Sequence, residues 1–215
     1  PREPHPAPRG YSVSGVTDVM GKNKDKGKGN KAGAAGKPSS VRELLRVGPG
    51  FNLGEVDPRR IVAGPDDKET PRAEALALEA EVTGLQERLF AESKAGGKRR
   101  LLVVLQGMDT SGKGGATKAI DRICEPVGLR MTSFGAPTKE ELRHHYLWRI
   151  DKALPRAGSI GIFDRSHYED VLIVRVHNLV PPDVWGARYD EINAWEKKLA
   201  DGGLVFLKCM LHISR

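Results

Sequence analysis

The sequence predicts an α/β fold: a parallel sheet covered by helices on both faces. Three observations carry that expectation. From Arg100 onward, short apolar runs alternate with stretches of helical character, as crossover units require. The first run, Leu101 to Leu105, is apolar at every position, the pattern of a strand buried on both sides. That run leads straight into a glycine-rich loop and then a helical stretch.

Residues 1–40 come before this pattern. A proline-rich start and a Lys/Gly/Asn run from Gly21 to Lys37 offer too little apolar surface to offset the entropy of ordering. A disordered basic tail is expected. It holds eight Lys or Arg and three Asp or Glu, so it carries +5 of the net +7 and leaves +2 for the rest. A basic tail on a near-neutral domain is a poor footprint for reading nucleic acid. No nucleic-acid partner is expected, and the tail reads either as a plain solvated arm or as one that attracts a polyanion.

Residues 41–99 read as an N-terminal helical extension. Val41, Leu44, Leu45 and Val47 could dock against a domain. Thr70 followed by Pro71 marks a helix start, with the threonine as cap and proline in the first turn. Leu78, Val82, Leu85 and Leu89 recur at helical spacing down to about Lys94 and read as a packing stripe.

The core is expected over residues 100–215. After the strand at 101–105 comes a helix from Lys113 to about Glu125, then a strand from Leu129 to Phe134. A helix from Thr138 to Ile150 and a strand from Ile160 to Phe163 follow. Residues 166–178 and 182–200 read as helical, and Leu204 to Met210 as a fourth strand. Ser214 looks like the cap of a helix beyond Arg215, so the chain is expected to stop inside the fold, with the C-terminal part of the core missing. No apolar run reaches 18 residues and no signal segment opens the chain, so no membrane partner is expected. Cys124 and Cys209 sit in apolar surroundings and read as buried thiols of a reducing compartment, with the cytoplasm as location.

The chemistry is concentrated in two places. Gly107-Met108-Asp109-Thr110-Ser111-Gly112-Lys113 fits the phosphate-loop spacing G-x-x-x-x-G-K, between a strand and a helix. Small residues let backbone N–H groups turn toward a phosphate, the helix presents its positive end, and Lys113 adds a point charge. Gly114 follows the lysine, where most such loops carry Ser or Thr to hold magnesium. An acid inside the loop, Asp109, would repel phosphate without a cation, which points to bound Mg2+. Thr110, Ser111 and Thr117 are lesser oxygen donors. The second place is the apolar strand that ends in Asp164-Arg165-Ser166. Carboxyl ends of strands line the ligand crevice in such sheets. Asp164 reads as a second magnesium ligand or a base, and Arg165 as a rigid fork suited to phosphate. Lys139, Arg143, Arg149 and Arg175 flank the crevice and suit a substrate that is a chain of phosphates. His144, His145, His167 and His177 lack the paired spacing of a zinc helix.

The segment from about Arg100 to Arg215 resembles polyphosphate kinase family 2, the polyphosphate:nucleotide phosphotransferases. The matching pieces are Gly107 to Gly115, Phe134 to Pro137 with Thr138 and Glu141, Tyr146-Leu147-Trp148-Arg149, and above all Phe163-Asp164-Arg165-Ser166-His167-Tyr168-Glu169-Asp170-Val171-Leu172. The His-Tyr-Glu-Asp form is similar to the subgroup acting on AMP as well as ADP. The resemblance implies a P-loop kinase-like three-layer α/β/α core and Mg2+-dependent, direct in-line transfer between inorganic polyphosphate and a nucleoside mono- or diphosphate. It implies catalytic roles for Asp109, Lys113, Asp164 and Arg165, with Asp109 and Asp164 as metal ligands. Gly107, Met108, Thr110, Ser111, Gly112, Gly114, Gly115, Arg149 and Arg175 would hold phosphate. A helical lid is implied at about 171–195, and a homo-oligomer is expected. Two competing readings are an ATP-dependent nucleoside monophosphate kinase, against which Asp109 and Gly114 speak, and a truncated, non-catalytic binder of polyphosphate or nucleotide.

Overall fold

The computed structural model describes residues 40–59 and 69–213. The expectations for residues 1–39 and for Ser214 fall outside the described residues. The chain divides into two compact units, residues 1–64 and 65–215.

In the first unit, α1 (Val41–Leu45) is capped by Ser40, whose Oγ accepts from the Glu43 N–H at 3.2 Å. A 3-10 turn over Leu53–Glu55 is capped in the same way by Asn52. No residue of α1 is buried, and Val41, Leu45 and Val47 are all more than half exposed.

The second unit opens with α2 (Thr70–Ala77) and α3 (Glu79–Lys94). Thr70 is already the first helical residue and not the cap, so Pro71 is the second. The leucine stripe does not behave as a packing face throughout: Leu78 and Leu85 are about half exposed, while Val82 and Leu89 are partly covered. The buried residue of α3 is Gln86. Its amide donates to the Glu125 carbonyl at 3.1 Å and accepts from the Glu125 N–H at 2.8 Å. A two-way bond that satisfies a peptide group fixes this helix where apolar contact does not.

Four strands form one parallel sheet: β1 (Arg100–Gly107), β2 (Leu129–Ser133), β3 (Ile160–Asp164) and β4 (Leu204–Leu211), in the order β2-β3-β1-β4. Alternate residues of β1 serve opposite faces. Leu102 and Val104 join Phe134, Leu147, Ile150, Phe163 and Leu204 on one side, with Trp195 and Leu199 laid over them. Val103 and Leu105 join Ile162 on the other, against Ala116 and Ile120. These two covers come from the helices α5 (Trp148–Ala153) and α7 (Pro182–Asp201) on one face and α4 (Lys113–Arg122) on the other. The architecture is therefore the three-layer α/β/α arrangement. Between them α6 (Ile173–Val176) is a single turn.

Three helical expectations are corrected. The stretch from Lys113 ends at Arg122 and gives way to a 3-10 turn at Pro126–Gly128. The expected helix from Thr138 to Ile150 is broken: a 3-10 turn covers Glu141–Arg143, His144 is extended at φ −112°, and α5 begins at Trp148. Burial of Leu147 and Ile150 in the core overrides the local helix signal. Residues 166–178 likewise split into a 3-10 turn at His167–Asp170 and α6. Cys124 and Cys209 are free but only partly buried, and burial raises both thiol pKa values. Among the described residues no helix is long and apolar enough to cross a membrane.

Candidate active site

Strand β1 delivers the loop. Gly107 closes the strand, and a Cβ there would lie 2.6 Å from Ser111 Oγ and 2.8 Å from the Leu211 carbonyl. Only glycine fits a position so tightly enclosed by backbone. Gly112 takes a left-handed conformation, φ 91°, to turn the chain into α4. Thr110 is also left-handed, φ 69°, which is an outlier for a β-branched residue. Its hydroxyl donates to the Asp109 carbonyl at 2.5 Å. Lys113 is almost fully buried, and its ammonium donates to the carbonyls of Gly107 (2.9 Å) and Met108 (2.8 Å). The lysine therefore shapes the loop as well as charging it. A Cβ on Gly114 or Gly115 would meet nothing within 4 Å, so these glycines leave open space at the start of α4.

Strand β3 delivers the second half. The carbonyl of Asp164 accepts from the Phe134 N–H at 3.0 Å, and the N–H of Arg165 donates to the Leu105 carbonyl at 3.0 Å. Both bonds lock the strand end to its neighbours. Arg165 is left-handed, φ 64°, and its Nη2 donates to Asp109 Oδ1 at 2.5 Å across the mouth of the site. Asp109, Thr110, Ser111, Gly112, Lys113, Gly114, Asp164 and Arg165 line one cleft of about 570 Å³, joined by Ser133, Phe134 and Gly135. The sequence had not singled out Ser133 and Gly135 as site residues. Their signal was their place at the carboxyl end of β2, beside the ends of β1 and β3.

The other expected phosphate contacts lie elsewhere. Gly107 and Met108 contribute carbonyls to Lys113 and do not line the cleft, nor does Gly115. Arg149 lines a second cleft of about 360 Å³ that shares Ser133, Phe134 and Gly135 with the first. It donates to the Gly135 carbonyl at 3.0 Å, lies 3.6 Å from Glu141 and covers the Phe134 ring. Arg175 stacks on Trp185 and reaches Tyr189 at 3.5 Å, outside both clefts. Arg143 pairs with Glu140, and Lys139 lines neither cleft.

For a metal, the donor set is suggestive in a specific way. Asp164 Oδ1 and Ser111 Oγ are both buried and have no hydrogen-bond partner. A buried carboxylate oxygen without a donor is costly unless a cation satisfies it. The described residues contain no group of three or more acidic, histidine or cysteine side chains able to hold an ion. Two carboxylates and a hydroxyl, completed by substrate oxygens and water, suit magnesium, which uses few protein ligands. Thr117 turns its hydroxyl back to the Lys113 carbonyl at 3.0 Å.

The residues after Arg165 face inward. Ser166 and His167 have no exposed surface. Ser166 Oγ caps the following turn, accepting from the Tyr168 N–H at 3.2 Å, and donates to Gln106 Oε1 at 3.3 Å. Gln106 also donates to Glu169 at 2.5 Å. Asp170 pairs with Arg188 of α7 at 3.0 Å, and its carboxyl pKa is raised, burial outweighing Arg188. His167 Nε2 and the Tyr168 hydroxyl meet Glu196 Oε1 at 3.1 and 2.6 Å. Burial alone would raise the Glu196 pKa, but the His167 hydrogen bond, the Lys208 charge and bond, and the Tyr168 bond outweigh it and hold the carboxyl at about 2. Burial and Glu196 raise the Tyr168 phenol above its ordinary value. No spacing rule in the sequence pointed to Gln106, Arg188, Glu196 or Lys208.

Comparison with known proteins bears on this geometry. Residues 66–215 match the model of the family described as polyphosphate kinase 2. An AMP/ADP-polyphosphate phosphotransferase of Meiothermus ruber is 45% identical over 165 residues, 77% of this chain and 60% of that protein. An ADP-polyphosphate phosphotransferase of Rhodopseudomonas palustris is 35% identical over 150 residues, 49% of its length. The chain thus spans about half to three-fifths of these curated relatives. The crystal structure of polyphosphate kinase 2 from Arthrobacter aurescens TC1 superposes with a TM-score of 0.75 at 46% identity, covering 80% of this chain and 61% of that one. A matched stretch of this extent, which contains both the Lys113 loop and the strand end at Asp164, places the chain in the polyphosphate kinase 2 family.

Proposed function

We propose that this chain transfers phosphoryl groups between inorganic polyphosphate and AMP or ADP, in the cytoplasm, by direct in-line displacement with Mg2+. The observation that carries the reading is the single cleft in which the Lys113 loop faces Asp164 and Arg165 at the carboxyl ends of adjacent strands.

Transfer of this kind needs positioning and charge neutralisation more than covalent help from the protein. The loop backbone and the start of α4 bind the phosphate chain, and the open space at Gly114 admits it close to the helix. Lys113 orders the loop and adds positive charge. Arg165 is drawn toward Asp109 now, and phosphate oxygens compete for the same guanidinium. Asp164 and Asp109, with Ser111, would hold the ion. Bound there, magnesium supplies neutralisation of the oxygen charge that builds up during transfer.

A donor panel tests the reading. Polyphosphate with AMP or ADP is expected to yield ADP or ATP. Transfer from ATP but not from polyphosphate would select a nucleoside monophosphate kinase, and binding without turnover a non-catalytic binder. In the same assay Lys113→Ala is expected to lose more than about ten-fold in kcat, ~1.4 kcal/mol. A smaller loss would remove the loop from the site.

A further inference from the structure

Among the described residues outside the cleft, one closed group of side chains joins α7, the middle of β4 and the turn after β3. Glu196 is its centre. One carboxylate oxygen receives His167 Nε2 at 3.1 Å and the Tyr168 hydroxyl at 2.6 Å; the other receives Lys208 Nζ at 2.8 Å. Lys208 Nζ also donates to the Tyr168 hydroxyl at 3.0 Å. Four residues from α7, β4 and the turn after β3 are thereby closed into one network.

We propose that Glu196 is a positioning residue for phosphoryl transfer, holding the Asp164–Arg165 turn in the conformation it presents to the cleft. This rests on the reading above in taking Asp164 and Arg165 as the groups that meet metal and phosphate. Arg165 sits in the left-handed region at φ 64°, and a non-glycine residue stays there only when its surroundings over-determine it. Its own side chain cannot do this, because it points outward to Asp109. Its N–H is held by the Leu105 carbonyl, and the remaining constraint comes from the residues that follow. Ser166 is sealed between Gln106 and the Tyr168 N–H. His167 has no exposed surface and Tyr168 is mostly buried; His167 Nε2 and the Tyr168 hydroxyl meet the same Glu196 oxygen, while His167 Nδ1 is buried without a partner.

Glu196 is itself well anchored. Ile192 is buried one turn earlier on α7, and Trp195 packs edge-on against the His167 ring at 4.8 Å. Filling the space would need only an apolar side chain. Accepting from an imidazole, a phenol and an ammonium at once needs a carboxylate. The chemistry of the residue thus exceeds what packing requires, and the surplus bears on the turn two residues beyond Arg165.

Three variants test it: Glu196→Gln, which keeps one neutral acceptor, Glu196→Leu, which keeps none, and Tyr168→Phe, which removes one donor and spares the carboxylate. All are assayed well below their melting temperatures. Calorimetry of tripolyphosphate binding with and without Mg2+ needs no turnover, and kcat with polyphosphate and AMP is read in parallel. The expected order in both is wild type, then Tyr168→Phe, then Glu196→Gln, then Glu196→Leu. Glu196→Gln is expected to lose at least about ten-fold in kcat and about five-fold in the Mg2+-dependent part of tripolyphosphate affinity. The metal-free affinity is expected to fall less than the Mg2+-dependent part, because the Lys113 loop supplies a share of it that Glu196 does not touch. Folded Glu196→Gln and Tyr168→Phe proteins with wild-type kcat and wild-type Mg2+-dependent affinity would overturn the inference even if both melt earlier. A wild-type chain that binds tripolyphosphate with Mg2+ but transfers nothing would overturn the proposed activity instead, and the calorimetric order would still decide the role of Glu196. A wild-type chain that does not bind it would overturn both.

Discussion

Asp109 and Asp164 stand in unlike surroundings. Asp109 is exposed and already tied to Arg165, whereas Asp164 keeps a buried oxygen with no donor. Asp164→Asn is therefore expected to raise the Mg2+ concentration needed for half-maximal activity more than Asp109→Asn does. Asp109→Asn should in turn free Arg165 and strengthen metal-free tripolyphosphate binding. A magnesium titration of both variants checks this, and equal, unchanged midpoints would remove both as ligands. Glu196 gives a stability prediction with a definite sign. Its folded pKa of about 2 lies below the ordinary 4.5, so its contribution is present above pH 4.5 and fades as pH falls toward 2. The difference corresponds to about 3 kcal/mol. Urea unfolding should show Glu196→Gln less stable than wild type at neutral pH, with the gap closing between pH 4.5 and 2. Residue identity announced the loop because backbone spacing is local: Gly107, Gly112 and Lys113 need no distant partner to be recognised. Glu196 was silent because its partners, 12 to 29 positions away, are set by tertiary packing.

At the level of elements, every strand falls within a residue or two of where the sequence places it; burial on both faces leaves a continuous apolar signal in β1 and β3, while β2 and β4 are more exposed. Helices fared less evenly. Thr138 and Glu141 do bond reciprocally, at 2.7 and 3.2 Å, as a capping pair should. Yet the helix stops within a turn, because the chain must bring Leu147 and Ile150 into the core and Tyr146 to Glu191 of α7 at 3.0 Å. Helix α7 has two differently supported halves. Ile192 and Glu196 are buried in its second half, while the first half, which the proposed lid would include, is held by polar and stacking contacts, Arg188 to Asp170, Glu191 to Tyr146 and Trp185 to Arg175. Arg188→Met is expected to raise amide hydrogen exchange across 182–191 by about five-fold or more, ~1 kcal/mol, and to leave 192–201 unchanged. Uniform acceleration along α7 would show that it moves as one body.

On the scale of the molecule, charge is divided unevenly, with +5 of +7 in residues 1–40. Removing residues 1–39 should leave kcat unaltered and weaken polyphosphate capture mainly at low salt, where screening is least. Stopped-flow binding at two ionic strengths checks this, and a salt-independent fall in kcat would place the segment in the chemistry instead. The sheet order has a different consequence, which concerns time. Strand β1 lies between β3 and β4, and those partners are about sixty and about a hundred residues downstream. Gly107, the first residue of the phosphate loop, is in register with Leu211. During synthesis the loop therefore emerges long before the strand that encloses it. The bonds from Lys113 to the Gly107 and Met108 carbonyls are local, but the enclosure of Gly107 must wait for β4, so nucleotide or polyphosphate binding should appear late in folding, together with the final closure of the sheet and not as a seed for it.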